Sequence, residues 1–238
     1  MAFGDEILKA YTDLRNRLNE ASGKWGGVQI LPVTKTVEPE RILVLKQSGV
    51  TAIGENRVQE AMTKIEKLDH SFDIHIIGRM QTNKARYAVK FAKMVESVDR
   101  PELALALDRA CEREGRALDI LIEVNIGNDP AKAGVSDTEA PDFFRMLSQY
   151  KNLSVKGLMT VAPIVETPED ARPYFRQMRK LFDFMRSMPG GESMNVLSMG
   201  MSGDCIVAAE EGATSVRVGS KIFGKRVYDN ASGAEQAR

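Results

Sequence analysis

Apolar residues recur along this chain in two alternating rhythms. Near the start Ile7, Tyr11, Leu14 and Leu18 fall three and four apart, which places them on one face of a helix ending near Gly23. Eight short runs of aliphatic and β-branched residues follow: "QILPVT" from 29, "TAIGE" from 51, "DIHIIG" from 73, "MVESVD" from 94, "LDILIEVN" from 118, "VKGLMT" from 155, "NVLSM" from 195 and "TSVRVG" from 214. Each reads as a strand. Helical spacing returns between them, with Val58, Met62, Ile65 and Leu68 as one predicted buried stripe and Phe175, Met178, Phe182 and Met185 as another.

Strand and helix in strict alternation imply parallel strands joined by right-handed crossovers. An open doubly wound sheet and a closed barrel both satisfy that pattern. Eight units in ~250 residues is what a closed (β/α)8 TIM barrel needs, and the G-x-G-x-x-G turn of a dinucleotide fold is missing after the first strand. The expectation is therefore an α/β fold, a single (β/α)8 barrel over residues 1–238, with an additional N-terminal helix (1–23) and a short polar tail (226–238). Neither a linker nor a short-period repeat divides it. Pro32 sits awkwardly inside the first strand, because proline removes a ladder donor.

Charge adds little. The 33 basic residues balance 33 acidic ones, which argues against nucleic acid or an anionic membrane as the main partner. The opening "MAFGDEILKAYTDLRNRL" carries charges throughout, and no apolar run approaches the ~20 residues of a membrane span. A cytoplasmic monomer is expected. Cys111 and Cys205, both in helical patterns, read as buried thiols. Two histidines without a partner cluster leave no case for structural zinc.

Candidate chemistry gathers at strand ends, since barrel active sites form at the C-terminal ends of the strands and phosphate often binds after the seventh and eighth. Those two loops here read "SMGMSGD" and "RVGSKIFG". Small residues before a helical turn leave backbone N–H groups exposed, and with the hydroxyls of Ser202 and Ser220 they suit a phosphate dianion. In "TSVRVGS", Val216 and Val218 alternate with Arg217; if the valines face the helices, Arg217 points into the barrel. The eighth strand closes on the first, whose "VTKT" places Lys35 close to that arginine. A neighbouring cation and partial desolvation both lower a lysine pKa, giving the neutral amine that Schiff-base chemistry requires. Lysine, phosphate cup and inward arginine together suggest pyridoxal 5'-phosphate (PLP), which proteins hold through a lysine imine with an Asp or Arg at the pyridine nitrogen. Arginine cannot give that nitrogen a proton as an acid partner does, so the ring would draw electrons weakly.

"VTKT", "GENRVQE" at 54–60, "HIIGRMQTNK" at 75–84, "AKAG" at 131–134, "GLMTVAP" at 157–163, and "LSMGMSGD" followed by "VRVGSKIFG" resemble the pyridoxal phosphate homeostasis proteins (the YggS/PROSC-like family) over roughly residues 5 to 228. The resemblance implies a barrel similar to the N-terminal domain of alanine racemases. It also implies PLP on Lys35, phosphate contacts from Ser202, Gly219 and Ser220, a ring-nitrogen contact from Arg217, and Asn56 near the cofactor. The chain departs from the family pattern at Pro32, at Thr34 where serine is usual, and in "HII" where an aromatic is usual. Lys84 and Lys132 match family lysines and read either as secondary PLP positions or as solvated loop lysines. His75 reads as a satisfied core or rim histidine, and Met159, Met199 and Met201 as packing around the mouth.

The implied role is control of free PLP, with PLP-requiring apo-enzymes as partners, and no catalytic residue or metal is expected. The alternative is an amino-acid racemase, which needs a second acid–base group on the opposite ring face. Tyr11, Tyr87, Tyr150, Tyr174 and Tyr228 all fall in segments read as helix or terminus, so none replaces it. A phosphosugar aldolase using the lysine without PLP would leave Arg217 idle.

Overall fold

A computed structural model describes residues 2–224 of the chain. Helix α1 (Ala2–Ser22) leads into β1 (Gln29–Pro32), α2 (Pro39–Leu43), β2 (Ala52–Glu55), α3 (Val58–Ile65), β3 (Asp73–Ile76) and α4 (Ala85–Ala88). Then come β4 (Ala92–Val98), α5 (Pro101–Glu114), β5 (Leu118–Glu123), α6 (Ala140–Leu147), β6 (Leu153–Met159), α7 (Arg172–Arg186), β7 (Val196–Ser198), α8 (Cys205–Glu210), β8 (Ser215–Val218) and α9 (Ser220–Phe223). The tail from 226, and Tyr228 within it, lie outside the described residues.

The strands are all parallel and run in the order β1-β8-β7-β6-β5-β4-β3-β2. A single bridge, Val33 to Gly54, and the bond from Thr34 N–H to the Gly54 carbonyl (3.0 Å) bring β1 back to β2. The result is the eight-stranded barrel with an N-terminal helix, nearly closed. The thin seam explains Pro32. Gln29 and Val33 donate towards β8, to Thr214 and Val218, whereas Thr34 donates towards β2. Residue 32 shares the phase of Thr34, so its missing donor faces the seam, where almost no ladder exists to be broken.

Most buried apolar side chains lie between the strands and the helices, including Ile7, Tyr11, Leu14 and Leu18 of α1 and Phe175, Met178, Phe182 and Met185 of α7. Full burial of each large side chain contributes about 1.5–3 kcal/mol. Met94, Leu121 and Met159 form a separate cluster inside the barrel. The predicted stripe Val58, Met62, Ile65 and Leu68 is corrected at Met62, which is 44% exposed; Val58 and Leu68 are buried and Ile65 packs against the core, and Ala61 and Lys64 are buried as well. A lysine on a core-facing helix position defeats a hydropathy pattern, and Leu68, though buried, lies beyond the helix end. No helix among the described residues is long and apolar enough to cross a membrane. Cys111 and Cys205 are both buried and free, and burial pushes the Cys111 thiol up to about 11.

Candidate functional site

Alternation along β8 puts Val216 and Val218 into the strand–helix shell and Arg217, 4% exposed, into the barrel. Arg217 pairs in register with Leu31 of β1, so Lys35, half-buried in the turn just after β1, leaves the barrel beside it. That much follows the sequence reading. The way Arg217 is held does not. One guanidinium nitrogen donates to Ser198 Oγ (2.7 Å) and another to the Thr160 carbonyl (2.7 Å). Ser198 in turn donates to Glu96 Oε2 (2.6 Å), whose other oxygen meets His75 Nδ1 at 2.8 Å. A bonded chain thus runs from β8 through β7 and β4 to β3. His75 also lines a cavity of about 270 Å³ with Tyr11, Arg15 and Ser215.

Electrostatics in this chain are those of a paired buried ion. Burial alone would raise the Glu96 carboxyl, but the bond and charge of His75, the charge of Arg217 and the Ser198 hydroxyl together hold it below the ordinary carboxylate range. Burial draws the Arg217 pKa down, opposed by Glu96 and Glu123. A guanidinium has five N–H donors, so two bonds to the protein leave others for a ligand. His75 is therefore the satisfied histidine the sequence suggested, though it faces the barrel interior.

A second network surrounds Lys35 and involves residues that the pattern reading passed over. Lys64 Nζ donates to the Thr34 carbonyl (2.6 Å), Glu55 Oε1 (3.0 Å) and Glu60 Oε1 (2.7 Å). Thr34 Oγ1 donates to Glu55 Oε1 (2.5 Å), and the Thr36 N–H donates to Glu60 Oε1 (2.5 Å). The residues on both sides of Lys35 are therefore tied to one buried ion cluster on β2 and α3. Thr36 has φ 61, a conformation that costs a β-branched residue of order 1–3 kcal/mol and persists only where neighbours over-determine it. The Glu60 bond supplies that constraint. Glu55 itself is pushed up by burial and pulled down by Lys64 and Thr34, with a net raise.

The two phosphate-cup loops meet directly: the Gly219 N–H donates to Ser202 Oγ at 3.3 Å. Gly200 has φ 92, and a Cβ there would lie 2.5 Å from that of Ala208, so only glycine lets this loop turn back over α8. Ser202 is half-buried and Ser220 exposed, at the starts of α8 and α9. Asn56 lies at the end of β2 and lines a cavity of about 220 Å³ together with Arg79 and Lys84. Lys132 is not a solvated loop lysine, because its Nζ donates to the Ala162 carbonyl at 2.7 Å. Met159 packs inside the barrel and Met199 in the outer shell, whereas Met201 is 39% exposed, so the three methionines do not ring the mouth. Tyr150 lies beyond α6 and the turn that ends it; Tyr11, Tyr87 and Tyr174 are helical.

Glu123 was missed as well. It ends β5, two residues beyond Leu121 on the same inward face, and is 8% exposed. Burial and the neighbouring Asp99 raise its carboxyl to about 7 against the pull of Arg217, Arg79 and Arg100. The available signal was an acid closing the otherwise apolar run "LDILIE". Among the described residues its Oε2 has no hydrogen-bond partner.

With this geometry in place, the relatives are informative. The family described as alanine racemase, N-terminal domain, matches residues 11–227. A protein named pyridoxal phosphate homeostasis protein in Aquifex aeolicus is 42% identical over 201 residues, covering 84% of this chain and 88% of the relative. Its namesake in Corynebacterium glutamicum is 38% identical over 221 residues, covering 88% and 95%. The solved structure of PipY from Synechococcus elongatus, with PLP bound, superposes with a TM-score of 0.81 at 33% identity, covering 92% of this chain and all (100%) of that one. An alanine racemase from Corynebacterium glutamicum, at 16% identity and a TM-score of 0.71, shares the fold, and this chain spans 62% of it. The chain thus belongs to the pyridoxal phosphate homeostasis proteins, a family built on the barrel found as the N-terminal domain of alanine racemases.

Proposed function

We propose that this chain holds PLP as a Schiff base on Lys35 and serves the homeostasis of PLP rather than its catalytic use. The observation that carries the reading is the convergence at one barrel mouth of Lys35 after β1, Arg217 on the neighbouring β8, and two small-residue loops joined by the Gly219–Ser202 bond. These residues fit the cofactor. Lys35 supplies the amine, Ser202, Gly219 and Ser220 the phosphate contacts, Arg217 an N–H for the ring nitrogen, and Asn56 a polar group beside it. When bound, PLP supplies an electrophilic carbon and an electron-withdrawing ring. Arg217, already tied to Glu96 through Ser198, holds that nitrogen unprotonated and restricts the ring's pull. PLP-requiring apo-enzymes are the partners this role calls for. Purified protein should absorb in the visible, and borohydride reduction followed by peptide mapping should leave a phosphopyridoxyl group on the peptide containing Lys35. A colourless protein that takes up no added PLP would end the proposal.

The phosphate contacts have their own test. Ser202→Ala with Ser220→Ala removes two hydroxyls, each worth roughly 1.5–3 kcal/mol to a charged acceptor. PLP retention should weaken by about ten-fold or more per site, with the thermal midpoint little changed because Ser220 is exposed and, among the described residues, Ser202 makes a single long bond, from the Gly219 N–H at 3.3 Å. Unaltered PLP dissociation in the double variant would place the phosphate elsewhere.

Carrier and enzyme separate on α-proton exchange. Incubated with L- or D-alanine in deuterated water, PLP-loaded protein should exchange and invert the α-position far more slowly than the about 1–1000 turnovers per second of ordinary enzymes, because Arg217 limits electron withdrawal. Rapid exchange with inversion would make the racemase the better account.

A further inference from the structure

Among the described residues, the inward faces of the strands carry two buried carboxylates, Glu96 and Glu123, and one buried guanidinium, Arg217. Glu96 is matched to Arg217 through Ser198 and to His75 directly. Glu123 is the surplus acid. Its Oε2 is buried without a partner among the described residues, although leaving a buried polar atom unpaired is ordinarily costly. Its position is also particular. From β1 the strand order reaches β5 in four steps through β8, β7 and β6, and in four through β2, β3 and β4. Glu123, at the C-terminal end of β5 and facing inward, therefore stands across the mouth from Lys35. An eight-stranded barrel is only wide enough for its inward side chains to fill, so groups on opposite strands address the same small space. The charged groups that face Glu123 are Asp99 after β4, Arg79 after β3, Arg100 at the start of α5 and Arg217 on β8. Asp99 is occupied by Arg100, which also donates to the Met80 carbonyl at 2.7 Å.

Resting on the PLP reading above, we propose that Glu123 is the proton-transfer group for a second ligand at this mouth, a primary amine that takes over the carbon held by Lys35. A primary amine arrives as an ammonium and cannot react until it loses a proton. Glu123 Oε2 would accept that proton, which frees the nitrogen lone pair to bond to the carbon. The C=N double bond to Lys35 would be exchanged for a C=N double bond to the incoming nitrogen, and the electron pairs released would stay on Nζ. Three N–H bonds would be lost by the incoming ammonium and three gained by Nζ, which departs as an ammonium, with Glu123 relaying the protons; nothing is oxidised or reduced. A carboxyl that titrates to about 7 is suited to both halves of this exchange near neutral pH. Such a group lets the protein hand its cofactor on rather than only store it. The incoming amine could belong to a free amino acid or to a polypeptide lysine, and the chemistry is shared.

The test compares wild type, Glu123→Gln and Glu123→Asp. PLP-loaded protein is mixed with L-alanine in one arm and with Nα-acetyl-lysine amide in the other, and loss of the Lys35-bound absorbance is followed from pH 5.5 to 9. Glu123→Gln should slow transfer by about 100-fold, in line with what a positioned acid–base group contributes, and should abolish the rate limb near pH 7. Glu123→Asp should restore part of both. In unloaded protein, carbon NMR of labelled glutamate should show one resonance titrating near 7 that is missing from Glu123→Gln, a readout independent of the loaded protein. Equal rates and equal pH profiles in wild type and Glu123→Gln, with both proteins yellow, overturn this proposal and leave the PLP reading intact; a colourless wild type overturns both. A rate change in one arm alone identifies the source of the amine that the mouth admits.

Discussion

Lys35→Ala is expected to abolish the visible absorbance and the borohydride-stable adduct together. Among the described residues, Lys64 and Lys132 are not placed to take over. Lys64 is engaged by Thr34, Glu55 and Glu60 on the far side of β2, and Lys132 is tied to the Ala162 carbonyl. The phosphate loops do not depend on Lys35, so residual PLP should bind without forming a covalent bond and wash out in dialysis. The variant should remain folded. Residue 35 is half-buried in a turn whose flanking residues are held by the Lys64 cluster, so the turn keeps those supports when the side chain is truncated. A thermal midpoint close to wild type, with complete loss of the reduced adduct, is the expected pair of results. An adduct of undiminished yield on another lysine would show that the mouth is not the covalent site.

Arg217→Met should destabilise the protein by about 3–5 kcal/mol, the usual cost of removing one partner from a buried ion pair. Three groups lose their donor or counter-charge: Ser198, the Thr160 carbonyl and, through Ser198, Glu96. For a chain of this length the midpoint should fall on the order of 10 °C. Adding Glu96→Gln should recover part of the loss, because a neutral amide needs no cation, and the double-mutant cycle then gives the coupling. The pH dependence has a definite sign. Glu96 sits below its ordinary value in the fold, so its stabilisation is present above the unfolded carboxylate pKa and fades as pH falls through the lower folded value. Without Arg217 the depression shrinks, so the window over which this stabilisation is lost narrows and ends at a higher pH. A loss under 1 kcal/mol, additive with Glu96→Gln, would mean that the chain of bonds carries no energetic weight.

Much of this protein was legible in one dimension. Eight apolar runs with helical spacing between them left the barrel as the economical solution, and each predicted strand overlaps an observed one, although β4 and β6 begin two residues earlier than the runs suggest. Period-2 alternation around Arg217 was enough to aim it inward, since neighbouring positions of a strand must face opposite sides. Small residues after the last two strands marked loops that do come together. These are properties of local periodicity and chain order, which sequence carries without ambiguity.

The partners could not be read that way. Lys64 looks like a surface charge on an amphipathic helix until α3 packs on β2 and sets it against Glu55; only that packing shows which helix face is inward, and the same packing exposes Met62. Glu96 and Ser198 lie 102 residues apart and meet because β4 and β7 contribute to one barrel interior. Glu123 gains its importance from closure, which sets β5 opposite β1 and removes water from its carboxylate. Spacing along the chain can nominate a charged residue, but its counter-charge and its exposure to water depend on residues far away in sequence, and those two quantities set the protonation state on which the chemistry of this mouth turns.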